Sequence, residues 1–277
     1  MKQAITIDQN KRTESGVSAR RKVLQLGVQL GLAVDGDYKP SEASIAARGE
    51  YRERKTLVSY QANLESIYNQ AIEHTPSDVT GIDLDPDWLH NFFKMAEQIH
   101  NPKMQNLWSR ILAKEIIKPG NFSIRTLERL KQLTQREALI LEKALGLGCT
   151  INGETRLKLI YCSKLTGGLQ LYFRSSSVTS IDLSLFGLPY SSILSLINAG
   201  IIHHDEFETG RLTKNQSVTL TYPHTQLTLK PKRGNLIFGY YRFTSIGNEL
   251  AQLVFPNVDT KFTKAMSALM KNDFDVQ

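Results

Sequence analysis

Residues 85–147 read DPDWLHNFFKMAEQIHNPKMQNLWSRILAKEIIKPGNFSIRTLERLKQLTQREALILEKALGL, and the spacing of caps and apolar side chains in this stretch decides the fold of the first half. Asp85 can cap a helix whose first position is Pro86, where a missing N–H costs no intrahelical bond. Leu89, Phe92, Phe93 and Ala96 then recur at the three- and four-residue steps of one helix face. Asn101-Pro102 repeats the start signal, and Met104, Leu107, Trp108, Ile111 and Leu112 keep helical spacing until Pro119-Gly120 stops them. Ser123 opens a third helix with Phe122 and Leu127 placed as a hydrophobic staple. Thr134 and Glu137 form a T-x-x-E capping box for a fourth, which carries Leu141 and Ala144 toward Gly146 and Gly148. Trp88 and Trp108 read as core anchors, and four short helices joined by tight turns predict a compact α-helical unit.

Upstream, the chain is polar and basic to Lys22, then apolar over residues 23–34 (VLQLGVQLGLAV), then turns at Asp35-Gly36-Asp37. The apolar run is interrupted by Gln25, Gly27, Gln29 and Gly31 and is well short of the roughly 20 residues of a membrane-spanning helix. A soluble helix or hairpin and no membrane partner are expected. Arg20, Arg21 and Lys22 precede the run, but it lies late and no small-residue cleavage site follows, which argues against a secretory signal. Residues 1–40 are expected to be a loosely ordered basic segment. From Ser41 a long helix is predicted, with Leu57, Tyr60, Leu64, Ile67 and Ala71 on one stripe. That stripe either docks on the following helices or, through Leu57, Tyr60, Leu64 and Ile67, meets a protein partner or a second copy of the chain.

Beyond Gly148 the texture changes to strand-like runs at residues 155–161 and 169–173, with Gly167-Gly168 between them as a hairpin signal. Residues 189–199 (PYSSILSLINA) predict a short helix with Ile193, Leu194 and Ile197 inward, ended by Gly200 and followed at once by a strand at Ile201-Ile202. Further strands are predicted at 218–222, 227–229 and 236–243, with turns at Tyr222-Pro223 and at Lys232-Arg233-Gly234-Asn235. Thr244 caps a helix carrying Ile246, Leu250 and Leu253, and residues 261–270 present Phe262, Met266 and Leu269 on a last one. The expected fold is α+β: a helical domain over residues 41–148, then an α+β domain over residues 149–277.

Two stretches carry a family resemblance. Trp108, Ile111, Leu112, Ala113, Glu115, Pro119, Gly120, Ser123, Arg125, Thr126, Leu127, Leu133, Thr134, Glu137 and Ala138, with residues 61–67 upstream, resemble a domain-of-unknown-function family of proteobacterial conserved hypothetical proteins. The same helices are similar, more loosely, to the alpha-type abortive-infection proteins of phage defence, which would imply a role in protein interaction. The run ILSLINAGII at 193–202, followed by strands and then by Phe243, Thr244, Gly247, Glu249 and Leu250 in an F-T-x-x-G-x-E-L pattern, resembles winged-helix domains. That resemblance implies a winged-helix-like C-terminal domain. It leaves the function open, because such domains bind DNA in some proteins and only other proteins elsewhere.

The 277 residues carry 34 Lys and Arg against 27 Asp and Glu, a formal net charge of +7, which permits an acidic partner. The excess is concentrated between residues 211 and 242, where Arg211, Lys214, Lys230, Lys232, Arg233 and Arg242 occur without one acidic residue. Tyr222, His224, Tyr240 and Tyr241 are interleaved with them. Cations neutralise phosphates and aromatic rings stack on bases, so Arg211, Lys214, Lys230, Lys232, Arg233, Tyr240 and Arg242 are the candidate contacts for DNA or RNA. The competing reading is a solvated sheet face with half-buried tyrosines. The helix at 189–199 has no Lys or Arg, so base reading from it is not expected.

Glu115 and Arg125 are placed to pair or cap across the Pro119-Gly120 turn. His203-His204-Asp205-Glu206 offers ligand types, but neighbours on a strand point to opposite faces, so no metal is expected. Two cysteines without C-x-x-C spacing, Cys149 and Cys162, read as buried thiols. No phosphate-binding glycine loop, nucleophile elbow or H-E-x-x-H motif occurs. These readings describe a cytoplasmic, non-enzymatic interaction protein without a cofactor.

Overall fold

The computed structural model describes residues 19–77, 81, 83–167, 178–214, 216–254 and 259–277. The chain divides into two units, Met1–Glu65 and Ser66–Gln277. The strand expected at 169–173 and the second glycine of the Gly167-Gly168 signal lie outside the described residues.

In the first unit, α1 (Ala19–Gln29) buries no residue. Residues 35–38 are tied down. Asp35 and Tyr38 exchange backbone hydrogen bonds of 3.1 and 3.0 Å. Tyr38 stacks on Tyr51 of α2 (Ile45–His74) with ring centroids 3.7 Å apart, and Lys55 pairs with Asp35 and donates to the Val28 carbonyl at 2.9 Å. The Lys55 ammonium, with the Tyr51 hydroxyl, holds the Asp35 carboxyl below its ordinary range. Leu57, on the predicted stripe, is 61% exposed.

The second unit begins in the last turns of α2. Ile67 and Ala71 are buried there, so Ile67 belongs to the helical core and is unavailable to a partner. Ser66 donates to Gln105 at 2.9 Å, which aligns this end of α2 with α4 (Pro102–Ile117). The predicted starts of α3 (Pro86–Ala96), α4, α5 (Ile124–Gln132) and α6 (Gln135–Leu147) all carry their side-chain caps. Asp85 accepts from the Asp87 N–H at 2.8 Å, Asn101 from Lys103 at 2.9 Å and Ser123 from Thr126 at 3.3 Å. Thr134 and Glu137 form the reciprocal box, and α6 runs through Gly146 to end at Gly148. Phe92 lies against Trp88 at 5.1 Å and Trp108 at 5.2 Å, and Trp88 Nε1 donates to the Phe122 carbonyl at 2.7 Å. This aromatic cluster joins α3, α4 and the turn that leads into α5.

Glu115 is buried, and its two oxygens accept from the Gly120 N–H at 2.5 Å and the Phe122 N–H at 3.0 Å. It therefore caps the turn itself, while Arg125 is exposed. Burial, outweighing those backbone donors, raises its pKa above the ordinary carboxylate value.

Among the described residues, the remaining chain forms two four-stranded antiparallel sheets. The first has the order β3-β2-β7-β4: β3 is Val178–Ser180, β2 Lys158–Leu165, β7 Leu236–Phe243 and β4 Ile202–Glu208. The second has the order β1-β5-β6-β8: β1 is Thr150–Ile151, β5 Val218–Tyr222, β6 Thr225–Pro231 and β8 Phe274–Val276. Their facing sides are apolar: Leu236 and Phe238 from one sheet and Val218, Leu220 and Leu229 from the other are all fully buried, and Phe238 stacks on Phe274 at 5.3 Å. The outer face of the second sheet is polar, with Thr219, Thr221, Gln226, Thr228 and Lys230 alternating with the buried residues.

α7 (Tyr190–Asn198) buries Ile193 and Leu196, whereas Leu194, expected inward, is 41% exposed. Leu194 is one step of about 100° from Ile193, on the solvent side. The helix ends in a Schellman turn: Gly200, at φ 70°, donates to Ile197 at 2.9 Å and Ile201 to Leu196 at 2.9 Å. The two halves of the ILSLINAGII and F-T-x-x-G-x-E-L pattern meet here. Ile202 pairs with Phe243, the Thr244 N–H donates to the Ile201 carbonyl at 2.9 Å, and the Thr244 hydroxyl donates to the Gly200 carbonyl at 2.7 Å. α8 (Ser245–Ala251) follows, and then α9 (Thr260–Met270), which buries Phe262, Met266 and Met270, with the expected Leu269 half exposed. Ser123 N–H to Glu249 at 2.7 Å and Lys143 to Asp259 at 3.0 Å join the four helices to this part of the unit.

Candidate nucleic-acid interface

The seven residues taken from the basic stretch separate into three places. Lys230 is exposed on the outer face of β6, in register with Asp275 of β8. Lys232 and Arg233 form the turn between β6 and β7, where they face carboxylates from the end of the chain. Lys232 Nζ donates to the Lys271 carbonyl at 2.5 Å and lies 3.9 Å from Asp275. Arg233 Nε is 3.6 Å from the buried Asp273, which also accepts from the Ser163 hydroxyl at 3.4 Å. This turn clamps β8 onto its sheet and is not a free cationic tip. Asp273→Ala is expected to cost about 1–3 kcal/mol by leaving buried donors without their acceptor, read as a lower denaturant midpoint with an unchanged m-value.

Arg211 and Tyr240 are brought together. They line one cleft of about 300 Å³ between the two sheets, with Ile151, Leu212, Val218 and Phe238 as its floor. Lys214 stands exposed three residues beyond Arg211. Arg242 shares the β7 face of Tyr240, two residues on, and its guanidinium lies over the Phe207 ring at 5.9 Å. Phe207 in turn stacks beside Tyr240 at 6.0 Å.

Three charged contributors to this cleft, Lys158, Glu154 and Glu208, escape the sequence reading. Lys158 of β2 is buried at the cleft wall, directly opposite Arg242 in the strand ladder, with its Nζ over the Tyr240 ring at 5.7 Å. Like charges facing across a ladder repel, and Glu154 relieves the pair by binding Lys158. The Lys158 ammonium holds the Glu154 carboxyl below its usual range, with Arg242 and Arg156 adding smaller effects. Glu208, the other carboxylate of the cleft, is engaged by Lys164 at 2.9 Å. Lys158, Arg211 and Arg242 therefore stand against Glu154, a local cationic excess. Lys158 opens the strand KLIYCSKL, which also carries Lys164, and the sequence does not show which of the two lysines is buried.

A family model matches residues 47–267. The chain belongs to the DUF2806 family, proteins of unknown function. The DUF2806 region spans α3 to α8 and every cleft residue named above. No curated protein and no solved structure matches the chain.

Other candidate chemistries have structural duties. Glu206 accepts from the Tyr161 hydroxyl at 2.5 Å and the Tyr241 hydroxyl at 2.8 Å, and no group of His, Cys, Asp and Glu arranged to hold a metal occurs among the described residues. Cys149 and Cys162 are buried and free, as the sequence suggested, and burial pushes the Cys149 thiol up to about 12. Among the described residues no helix is long and apolar enough to cross a membrane.

Proposed function

We propose that this DUF2806 protein is a non-enzymatic module that binds nucleic acid along the margin of its two sheets. The observation that carries the reading is the convergence of Arg211 and Tyr240 on one cleft, with Arg242 on the same strand face and Lys214 beside them. Cations neutralise the backbone while the cleft and its aromatic wall receive bases. The Schellman turn of α7 and its hydrogen bonds to Thr244 support a winged-helix-like framework for this region. Without Lys or Arg on α7, the contact falls to the strands and the β4–β5 connection.

Charge reversal at Lys232 and Arg233 would set carboxylates against Asp273 and Asp275, so a loss of binding there would report a loss of folding. Arg211 and Lys214 are exposed and suit the test better. In fluorescence anisotropy with labelled single-stranded and duplex oligonucleotides, the wild type is expected to bind, with affinity falling steeply between about 50 and 200 mM salt. Arg211→Glu with Lys214→Glu is expected to weaken binding about tenfold or more and to make the single-strand salt slope shallower by about 1.4, or about 0.7 for each phosphate left without its cation. No binding at low salt, or an unchanged slope in the double variant, would overturn the reading.

A second reading is a protein partner, of the kind the abortive-infection likeness implies, at α2. Leu57 and Val58 at 61% and 68% exposure favour it, because their own unit leaves them uncovered.

A further inference from the structure

We infer that the cleft between the two sheets receives one unstacked nucleotide of a single strand, its base against the Tyr240 side chain and its phosphate on Arg211. The inference rests on the nucleic-acid reading above and narrows it to a ligand unit and a place.

Shape comes first. The cleft is concave, and its volume of about 300 Å³ stands at the low end of the range for small-molecule sites. It suits a single base with its sugar and excludes a stacked base pair. Its lining has two zones. Val218 and Phe238 are fully buried and Ile151 and Leu212 nearly so, which leaves the half-exposed Tyr240 side chain as the part of the wall that a base can lie against. Around them stand Lys158 and Arg211 as donors, Glu154 as acceptor, and Gln216, which supplies both.

That combination discriminates among ligands. A purely apolar guest would leave the Lys158–Glu154 pair with nothing to address. A bare anion would meet the Glu154 carboxylate. A nucleobase has apolar faces and an edge that both donates and accepts, and its phosphate supplies the anion that the cationic excess of Lys158, Arg211 and Arg242 calls for. Single strands can splay a base into such a pocket, whereas a duplex would first have to unstack and unpair it.

The chemistry is shared by a nucleotide within a strand and a free nucleotide, and the experiment separates them. Anisotropy is measured with a labelled single-stranded oligonucleotide, with a backbone of equal length made entirely of abasic residues, and with nucleoside monophosphates as competitors. A second arm photo-cross-links a strand carrying halogenated uracil and locates the adduct by mass spectrometry. The expected result is about tenfold weaker binding of the abasic strand, consistent with base stacking contributions of roughly 1–3 kcal/mol, and adducts at Tyr240 or within residues 209–218. Competition by monophosphates would assign the site to the nucleotide itself, and its absence to a nucleotide held within a strand. Equal binding of abasic and base-bearing strands, or adducts confined to other residues, would overturn the pocket while leaving backbone binding intact. Failure of every strand to bind would overturn both readings.

Discussion

Glu115→Ala is expected to lower the unfolding free energy by about 2–4 kcal/mol, because the buried Phe122 N–H, at about 1–3 kcal/mol, and the half-buried Gly120 N–H, at less, lose their acceptor together. The carboxylate lies in the turn after α4, where one oxygen takes the Gly120 N–H at 2.5 Å and the other the Phe122 N–H at 3.0 Å. Gly120, at φ 87°, holds a conformation that a residue with a Cβ rarely adopts, so the turn has little freedom to re-aim its N–H groups. Phe122 is buried and its carbonyl accepts from Trp88 Nε1, so displacement of the turn would reach the Trp88, Phe92 and Trp108 cluster. Glu115→Gln keeps the shape and one acceptor but turns an amide N–H₂ toward the second donor; about 1–3 kcal/mol is expected.

The same side chain makes a pH prediction. Burial raises its pKa above the ordinary 4.5 despite the backbone donors. A carboxyl with a raised folded pKa binds its proton more tightly folded than unfolded. Its contribution is therefore fully present below the unfolded pKa and is lost as pH rises through the folded one. Denaturant midpoints of the wild type should show this loss above about pH 4.5, and Glu115→Gln should remove that component. An identical pH profile in the variant would mean that the carboxyl titrates as if solvated.

The helical half was legible in the sequence because its signals are local. The four caps and the prolines at the first positions of α3 and α4 are set by neighbouring residues, and each appears where the spacing placed it. Strand boundaries were less legible. β4 continues through His203, His204 and Asp205, a polar run without alternation that falls where the register against β7 shifts, between the Ile202–Phe243 and Glu206–Tyr241 pairs, and β7 lies more than 30 residues away. β8 is three residues long and has no pattern of its own. The cationic cleft was half legible for the same reason: the carboxylate-free stretch is visible, but the acids that neutralise Lys232 and Arg233 arrive from residues 273 and 275. Its buried cation, Lys158, arrives from a strand whose register only folding sets.

Gly247→Ala is expected to be the most damaging single-methyl change in the sheet-bearing part of the protein. A Cβ at Gly247 would sit 2.3 Å from the Ile201 carbonyl oxygen and 3.1 Å from Phe243 Cδ1. In most helices alanine in place of glycine is stabilising, and here the sign reverses. The carbonyl cannot retreat: it accepts from the Thr244 N–H at 2.9 Å, and the Thr244 hydroxyl lies 3.2 Å away while capping the Gly247 N–H at 3.1 Å. Relief requires α8 to move off the α7–β4 junction, breaking the cap or the Ile202–Phe243 pairing. Overpacking alone costs about 1–3 kcal/mol, and loss of the cap adds about 1 kcal/mol, so a destabilisation of about 2–4 kcal/mol is expected. Gly49→Ala, in α2 with nothing within 4 Å of its added Cβ, is the matched control and should be neutral or slightly stabilising. A Gly247→Ala protein as stable as the wild type would mean that α8 does not approach the Ile201 carbonyl, and the Thr244 junction would fall with it.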